Sequence, residues 1–247
     1  MTITSVLVTR PEAQAAELID VLTLAGLAVW HLPTIKIQAL PEVQEQTEIA
    51  LNLERYDKVF CLSSNAAKCA MSLLEGYWPQ WPQPQTWYAI GRATAKVLEQ
   101  ALVTAQCPEQ YDSEGLLNLP ELQSVSGQRC LICSGEGGRT LLADTLQARG
   151  AQVTKLPLYQ RLPLSYDIDE LTTELKAKQI DAVVVTSVEI LQHLVSIFGS
   201  RAVILKPLLL VVPSSRVEKR AKELGFTHVV LAQGADTESL MAVITNQ

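Results

Sequence analysis

Six short stretches of this sequence place a hydroxyl, an arginine or a very small residue where an apolar run gives way to a helical pattern. They are Thr9-Arg10-Pro11, Ser63-Ser64-Asn65, Gly91-Arg92-Ala93-Thr94, Ser134 to Arg139, Thr186-Ser187 and Pro213-Ser214-Ser215-Arg216. Taken singly, each reads as a helix cap, because a Ser or Thr oxygen accepts from N–H groups that the first turn leaves unpaired. Together they describe more. Ligands of open α/β sheets bind outside the carboxyl ends of the strands. These junctions would line such ends with N–H groups, hydroxyls and the arginines Arg10, Arg92, Arg139 and Arg216. That is an anion site suited to a ligand rich in carboxylates.

Other motifs carry less. Cys130 and Cys133 have the spacing of a metal or redox pair but fall in a predicted strand, where residues three apart point to opposite faces. No second Cys or His pair accompanies them, so the reading is structural. His31, His193 and His228 are scattered, and Glu189 with His193 has the spacing of a surface pair on a helix. The glycine-rich Ser134 to Arg139 has neither the order of a dinucleotide fingerprint nor the lysine and hydroxyl of a P-loop. Its backbone amides still suit an anion, and a plain tight turn explains the glycines equally well.

The elements that must position these residues alternate strand and helix from end to end. Ile3 to Thr9 reads as a strand, a helix starts at Pro11, Gly26 ends it in a left-handed conformation, and Leu27 to Pro33 returns as strand. The helix–Gly–strand phrase recurs at Gly150 and Gly225. Val59 to Leu62, Trp87 to Ile90, Cys130 to Cys133, Ala182 to Thr186 and Leu208 to Val212 are further near-continuous apolar strands, as in parallel sheets covered on both faces. About ten strands are more than one ordinary sheet holds, so two open sheets are expected. Thr34 to Pro41 and Tyr159 to Tyr166 are extended and outside the helix rhythm, and read as connectors. The Trp78 to Pro84 stretch, with three prolines, reads as a surface loop.

The bulk properties bound the partners. With 48% hydrophobic and 19% charged residues, the chain has material for a large core. A net charge of −6 argues against nucleic acid without excluding a small anion that meets a local field. Apolar runs are short, no signal-peptide pattern is visible, and five cysteines sit in apolar segments, which fits free thiols in the cytoplasm and no membrane. Two further readings of the rim stay open here: a two-lobed anion receptor without chemistry, and a nucleotide-dependent transferase.

The junctions, in their order, resemble the uroporphyrinogen-III synthase family, bacterial type. The matching text is VLVTRP from Val6, LSSNAA from Leu62, AIGRATA from Ala89, YDSEGLL from Tyr111, Ser134 to Arg161, VVVTSVEIL from Val183, and the Ser214-Ser215-Arg216 helix start. The resemblance implies an α/β chain of two flavodoxin-like parallel-sheet domains joined by a two-stranded β-ladder, with the active site in the inter-domain cleft. One domain would be 1–36 plus 166–247 and the other 40–160, with 34–41 and 159–166 as connectors. It implies a monomer that uses no cofactor or metal and acts on a linear tetrapyrrole, hydroxymethylbilane, with hand-over from hydroxymethylbilane synthase.

The resemblance also assigns roles. Tyr159, at the hinge and facing the cleft, would assist loss of water as a general acid. Ser64 and Thr94 match cleft hydroxyls, and Arg10, Arg92, Arg139 and Arg216 would hold carboxylates. Ser113, Ser187 and Ser214 would cap helices whose N–H groups meet the ligand, and Ser63, Asn65 and Gly138 complete the binding set. Two positions depart from the family pattern. Ser134 stands where members often have arginine, which removes a carboxylate partner, and Pro213 stands where a glycine often opens the last helix, which removes an N–H.

Overall fold

The chain runs through one plan twice. Its first half comprises β1 (Ser5–Val8), α1 (Glu12–Leu24), β2 (Ala28–His31), β3 (Ile35–Ala39), α2 (Gln44–Leu51), β4 (Lys58–Cys61), α3 (Ser64–Leu74), β5 (Thr86–Ala89), α4 (Arg92–Gln100), β6 (Ala105–Gln106) and α5 (Ser113–Leu117). Its second half comprises β7 (Arg129–Gly135), α6 (Leu141–Ala148), β8 (Gln152–Pro163), α7 (Ile168–Ala177), β9 (Ala182–Val184), α8 (Val188–Phe198), β10 (Leu209–Val212), α9 (Ser215–Glu223), β11 (Val229–Leu231) and α10 (Thr237–Thr245). This computed structural model describes every residue except Met1, Thr2, Gln83, Pro84, Arg139 and Gln247.

Two compact units result, one of Met1–Lys36 with Leu162–Gln247 and one of Ile37–Arg161. The first holds a five-stranded sheet of order β11-β10-β9-β1-β2, parallel throughout. The six-stranded sheet has order β3-β8-β7-β4-β5-β6, with β4 to β8 parallel. Against β8, β3 runs antiparallel: Leu40 N–H donates to Leu158 O at 2.9 Å, and Leu164 N–H to Thr34 O at 3.0 Å. The chain passes between the units within β3 and at the end of β8.

One constant offset relates the halves. It carries Val6 to Cys130, and with it Gly26 to Gly150, Asp57 to Asp181, Ser63 to Ser187 and Asp112 to Asp236. These pairs also match in structure. Gly26 and Gly150 end their helices at φ +84° and +87°, Ser63 and Ser187 cap α3 and α8, and Asp112 and Asp236 cap α5 and α10. Asp57 N–H donates to Arg129 O as Asp181 N–H donates to Ser5 O, at 2.9 and 3.1 Å. The halves exchange their leading strands: β1 and β2 pair into the sheet of β9 to β11, while β7 and β8 pair with β4 to β6.

Both faces of each parallel sheet are covered, so strands such as Ser5–Val8 and Lys58–Cys61 are buried at every position. On β7, Cys130 joins one core cluster and Cys133 the other, on opposite faces of the sheet. In the first unit β1, β9 and β10 pack Val6, Val8, Val184 and Val211 against Leu18 and Leu22 of α1 and Leu240 and Ile244 of α10. Among the described residues one helical stretch, Val188–Leu205, is long and apolar enough to cross a membrane by length and composition. Its α-helical part ends at Phe198, Gly199 takes φ +50°, and Ile190, Leu191, Leu194 and Phe198 are buried core residues.

One expectation changes and two gain detail. Pro11 occupies the N-cap position and the helix proper starts at Glu12. The stretch from Tyr159 up to Pro163 continues β8 without a break, and the division between the units falls within it. The aromatic loop is tied down at its start: Trp78 Nε1 donates to Ala50 O at 2.6 Å and Trp81 Nε1 to Ala101 O at 2.7 Å. Its Gln83 and Pro84 lie outside the described residues.

The start of β1 depends on a carboxylate. Asp181 accepts from Thr4 N–H at 2.7 Å, Thr4 Oγ1 at 2.8 Å and Ser5 N–H at 3.1 Å. Burial alone would raise this carboxyl, but these bonds from Thr4 and Ser5 hold it below the usual range. A depressed folded value stabilises the protein above the unfolded carboxyl range, near pH 4, and that contribution is lost as pH falls through the folded value. Asp181→Asn is therefore expected to cost about 1 kcal/mol at pH 7, partial exposure having reduced the figure, and to cost progressively less on acidification below about pH 4. Urea midpoints of both proteins at the two pH values check it.

Candidate functional site

In each unit the polar junctions stand where a parallel strand ends and the next helix begins. In the second unit, after β4, Ser63 Oγ accepts from Ala66 N–H at 3.0 Å and caps α3. Ser64 and Asn65 are the first helical residues, both half-buried. After β5, Gly91 is the N-cap of α4, Arg92 is exposed on its first turn, and Thr94 is buried. Tyr111 packs on this junction: its ring centroid is 5.7 Å from the Arg92 guanidinium carbon, and a Cβ on Gly91 would stand 3.2 Å from Tyr111 Cβ. Ser113 does not cap α5, contrary to expectation. Asp112 Oδ1 does so, accepting from Gly115 N–H at 2.7 Å, because a carboxylate also complements the helix dipole; Ser113 is the first helical residue and buried.

The glycine-rich turn is less open than an anion cradle would be. Gly135 ends β7, Gly137 takes φ +66°, and Gly138 is exposed. The Glu136 N–H is committed to Tyr159 O at 2.8 Å. Helix α6 starts only at Leu141, and Thr140 gives it no side-chain cap. Arg139 lies outside the described residues.

Tyr159 is the centre of a polar cluster at this rim. A register shift in the β7–β8 pairing, where Ser134 faces Pro157 but Gly135 faces Tyr159, turns its side chain across Gly135. The ring lies so close that a Cβ on Gly135 would stand 2.6 Å from Tyr159 Cζ. The residue is 1% exposed and joins the buried core cluster of β4, β5 and β7. Its hydroxyl oxygen is 3.1 Å from Ser63 Oγ and accepts from Arg161 Nη2 at 3.0 Å. The Arg161 guanidinium carbon lies 5.2 Å from the ring centroid, and Nη1 reaches Glu136 O at 3.4 Å. Sequence reading missed Arg161 in this role, although the signal was present: residues two apart on a strand share a face, so Arg161 had to flank Tyr159.

In the first unit the rim after β1 holds a poorly satisfied cation. Arg10 Nε is buried without a hydrogen-bond partner among the described residues, as is Thr34 Oγ1. Burial lowers the Arg10 guanidinium's proton affinity, while Glu17 and Asp236 act in the opposite sense. His31 Nε2 lies 2.9 Å from Arg10 O, and Thr9 Oγ1 donates to Val184 O at 2.7 Å. Such a guanidinium favours an anionic partner. Ser187 caps α8, accepting from Ile190 N–H at 3.1 Å. Ser214 takes the N-cap position of α9 but makes no side-chain cap bond, which corrects the expected role, and Arg216 is exposed on the first turn.

An open hollow of about 520 Å³ runs between α8 and α9 and touches Arg216 alone of the expected residues. Its other walls, including Glu189, Lys219, Arg220 and Glu223, mix both signs of charge along the helix flanks.

Comparison with known proteins adds an independent finding. A family model described as uroporphyrinogen-III synthase HemD matches residues 16–242. The chain is similar to the uroporphyrinogen-III synthase of Escherichia coli, 39% identical with 97% of this chain and 99% of that one covered. It is similar to the uroporphyrinogen-III synthase of Salmonella typhimurium at 36%, again with 97% and 99% covered. In fold it is similar to a crystal structure of a mutant uroporphyrinogen III synthase from Thermus thermophilus, with TM-score 0.65, 16% identity and 98% of each chain covered.

Proposed function

The chain belongs to the uroporphyrinogen-III synthase family, and from that premise we propose how its residues carry out the reaction. The enzyme is a lyase of tetrapyrrole biosynthesis. It closes hydroxymethylbilane into uroporphyrinogen III, releasing water and inverting ring D. Protonation of the hydroxymethyl group on ring A lets it depart as water and leaves an electrophilic azafulvene. Ring D attacks through its substituted carbon, the resulting spiro intermediate fragments, and closure through the free α-carbon of ring D releases a proton. Proton uptake and release therefore balance. Unassisted closure gives the uninverted isomer, so the protein must hold a conformation as well as lower a barrier.

The two units are read as flavodoxin-like lobes, the β3–β8 pair as a ladder between them, and the active site as the cleft they form. The strand order of the first unit supports this, since counted along that unit it is the order typical of flavodoxin-like sheets. The observation that carries the site assignment is the polar lining of the strand ends in both units. The substrate bears eight carboxylates, and arginines, capping hydroxyls and helix N-termini are the groups that meet carboxylates. Arg10, Arg92, Arg139, Arg216, Ser63, Ser64, Asn65, Thr94, Ser113, Gly138, Ser187 and Ser214 form the binding set. Closure of the lobes on their connectors excludes water. The reaction takes place in the cytoplasm, where direct hand-over from hydroxymethylbilane synthase protects a labile substrate.

The test is direct: incubate the protein with hydroxymethylbilane, oxidise the product and separate the uroporphyrin isomers. Type III is expected, and type I alone would refute the function. Within the same assay Arg10→Ala should raise KM about tenfold with kcat changed less than about threefold, as loss of a charge-assisted contact made in both ground and transition states requires. Equal losses in kcat and kcat/KM would remove Arg10 from substrate holding.

A further inference from the structure

The proposed reaction needs a proton at the leaving hydroxyl, and the Tyr159 phenol that would supply it is buried. Hydrogen-bond accounting resolves the difficulty. A phenol has one proton to donate, and a buried O–H left without an acceptor is costly. Among the described residues its hydroxyl has two partners, Ser63 Oγ and Arg161 Nη2. A guanidinium accepts nothing, so of these two partners only Ser63 Oγ can take the phenol proton. That oxygen already accepts from Ala66 N–H. Its two lone pairs are then filled, and its own proton points away from both donors, from a residue that is half-buried and not sealed.

We propose that Ser63 is the immediate proton donor to the leaving hydroxyl, that Tyr159 replaces that proton through the 3.1 Å contact, and that Arg161 holds the phenol oxygen as its charge develops. The inference rests on the function given above and deepens it. In the forward step Ser63 O–H gives its proton to the hydroxymethyl oxygen, the C–O bond breaks to release water, and the Tyr159 proton moves to Ser63 Oγ. The negative charge then rests on the phenol oxygen, facing the Arg161 guanidinium, where a fixed cation acts on developing charge. The proton lost from ring D at final closure returns along the same path. Arg161 acts through the phenol and is a positioning residue.

The duplication supplies an internal comparison. Ser187, the counterpart of Ser63, caps its helix at 3.1 Å just as Ser63 does at 3.0 Å. The counterpart of Tyr159 under the same offset is Ile35, and that of Arg161 is Ile37, neither of which has a hydroxyl or charge. A serine therefore caps this kind of helix without help from a phenol and guanidinium. Their presence beside Ser63 alone needs another explanation, and proton delivery provides it.

Asparagine at position 63 separates the two roles, since it caps a helix as well as serine but has no hydroxyl to pass a proton. With wild type first shown to form type III product, Ser63→Asn is expected to lower kcat about 100-fold, within the range of general-acid effects, with KM within about threefold. Ser63→Thr, which keeps both cap and hydroxyl, should stay within about fivefold of wild-type kcat. Tyr159→Phe should lose a comparable amount, and the Ser63→Asn/Tyr159→Phe double variant should be within about twofold of the slower single, because one relay is broken only once. If asparagine prevents folding, Ser63→Ala takes its place in the same cycle. Arg161→Lys should recover most of the kcat that Arg161→Leu loses, again at near-constant KM. Full kcat in Ser63→Asn, or losses that multiply in the double variant, would overturn the relay while leaving the enzyme's function intact. Absence of type III product from wild type would overturn both.

Discussion

Gly135→Ala should lower kcat for type III formation by about 100-fold while the protein stays folded. The new Cβ would stand 2.6 Å from Tyr159 Cζ, 2.8 Å from Cε2 and 3.0 Å from the hydroxyl oxygen. No carbon atom is tolerated at such distances, and the ring must retreat by about 1 Å to reach van der Waals contact. It cannot retreat freely, being buried in the core with Leu156 and Leu158 of its own strand. The hydroxyl therefore moves relative to Ser63 and Arg161, and misplacement of about 1 Å is worth about 100-fold in rate. KM should change little, because Arg10, Arg92 and Arg216, proposed above to hold carboxylates, stand on neither β7 nor β8. Overpacking should also cost about 1–3 kcal/mol of stability. Initial rates with isomer separation, beside a thermal melt, decide the matter. Wild-type kcat in a folded Gly135→Ala protein would show that the position of the phenol is irrelevant to turnover.

The second large effect falls on stability. Gly115→Ala should cost about 3 kcal/mol and lower Tm by roughly 6–12 °C. A Cβ there would meet Gln110 O at 2.0 Å and Gln110 C at 2.9 Å, and both are backbone atoms that no rotamer change can remove. The loop carrying Gln110 passes this close because Asp112 folds back to cap α5 through Gly115 N–H. Leu116 and Leu117 on the same short helix fill the core beside Phe60 and Tyr88, whose rings stack at 4.7 Å. Displacing the loop therefore loosens one whole face of the six-stranded sheet. Gly76→Ala is the matched control: its Cβ would approach Leu73 O at 3.4 Å, an ordinary contact, and a change below about 0.5 kcal/mol is expected. Equal melting temperatures for the two variants would refute the argument.

The amino-acid order by itself determined the layer type and the location of the polar junctions. Continuous apolar runs such as Val6 to Val8 and Val183 to Val185 admit only strands covered on both faces. The glycines at 26, 150 and 225 end helices with φ near +85°, which L side chains rarely adopt. Helix caps were legible for the same local reason at Ser63 and Ser187. They were misread at Ser113 and Ser214, where competition with a neighbouring carboxylate or simple side-chain orientation decides, and neither is encoded in residue type.

What only tertiary structure decided is pairing between distant parts of the chain. That β1 joins β9 and β7 joins β4 follows from which buried faces fit, not from any local propensity, so the repetition of one plan across two halves was visible only as a recurring phrase. The Tyr159 cluster has the same origin. Its phenol, the Ser63 hydroxyl and the Gly135 backbone lie on β8, at the start of α3 and at the end of β7, and a register shift between two strands brings them together. A sequence specifies which groups exist and which local turns they favour; the shared burial of three strands sets the distances on which proton transfer depends.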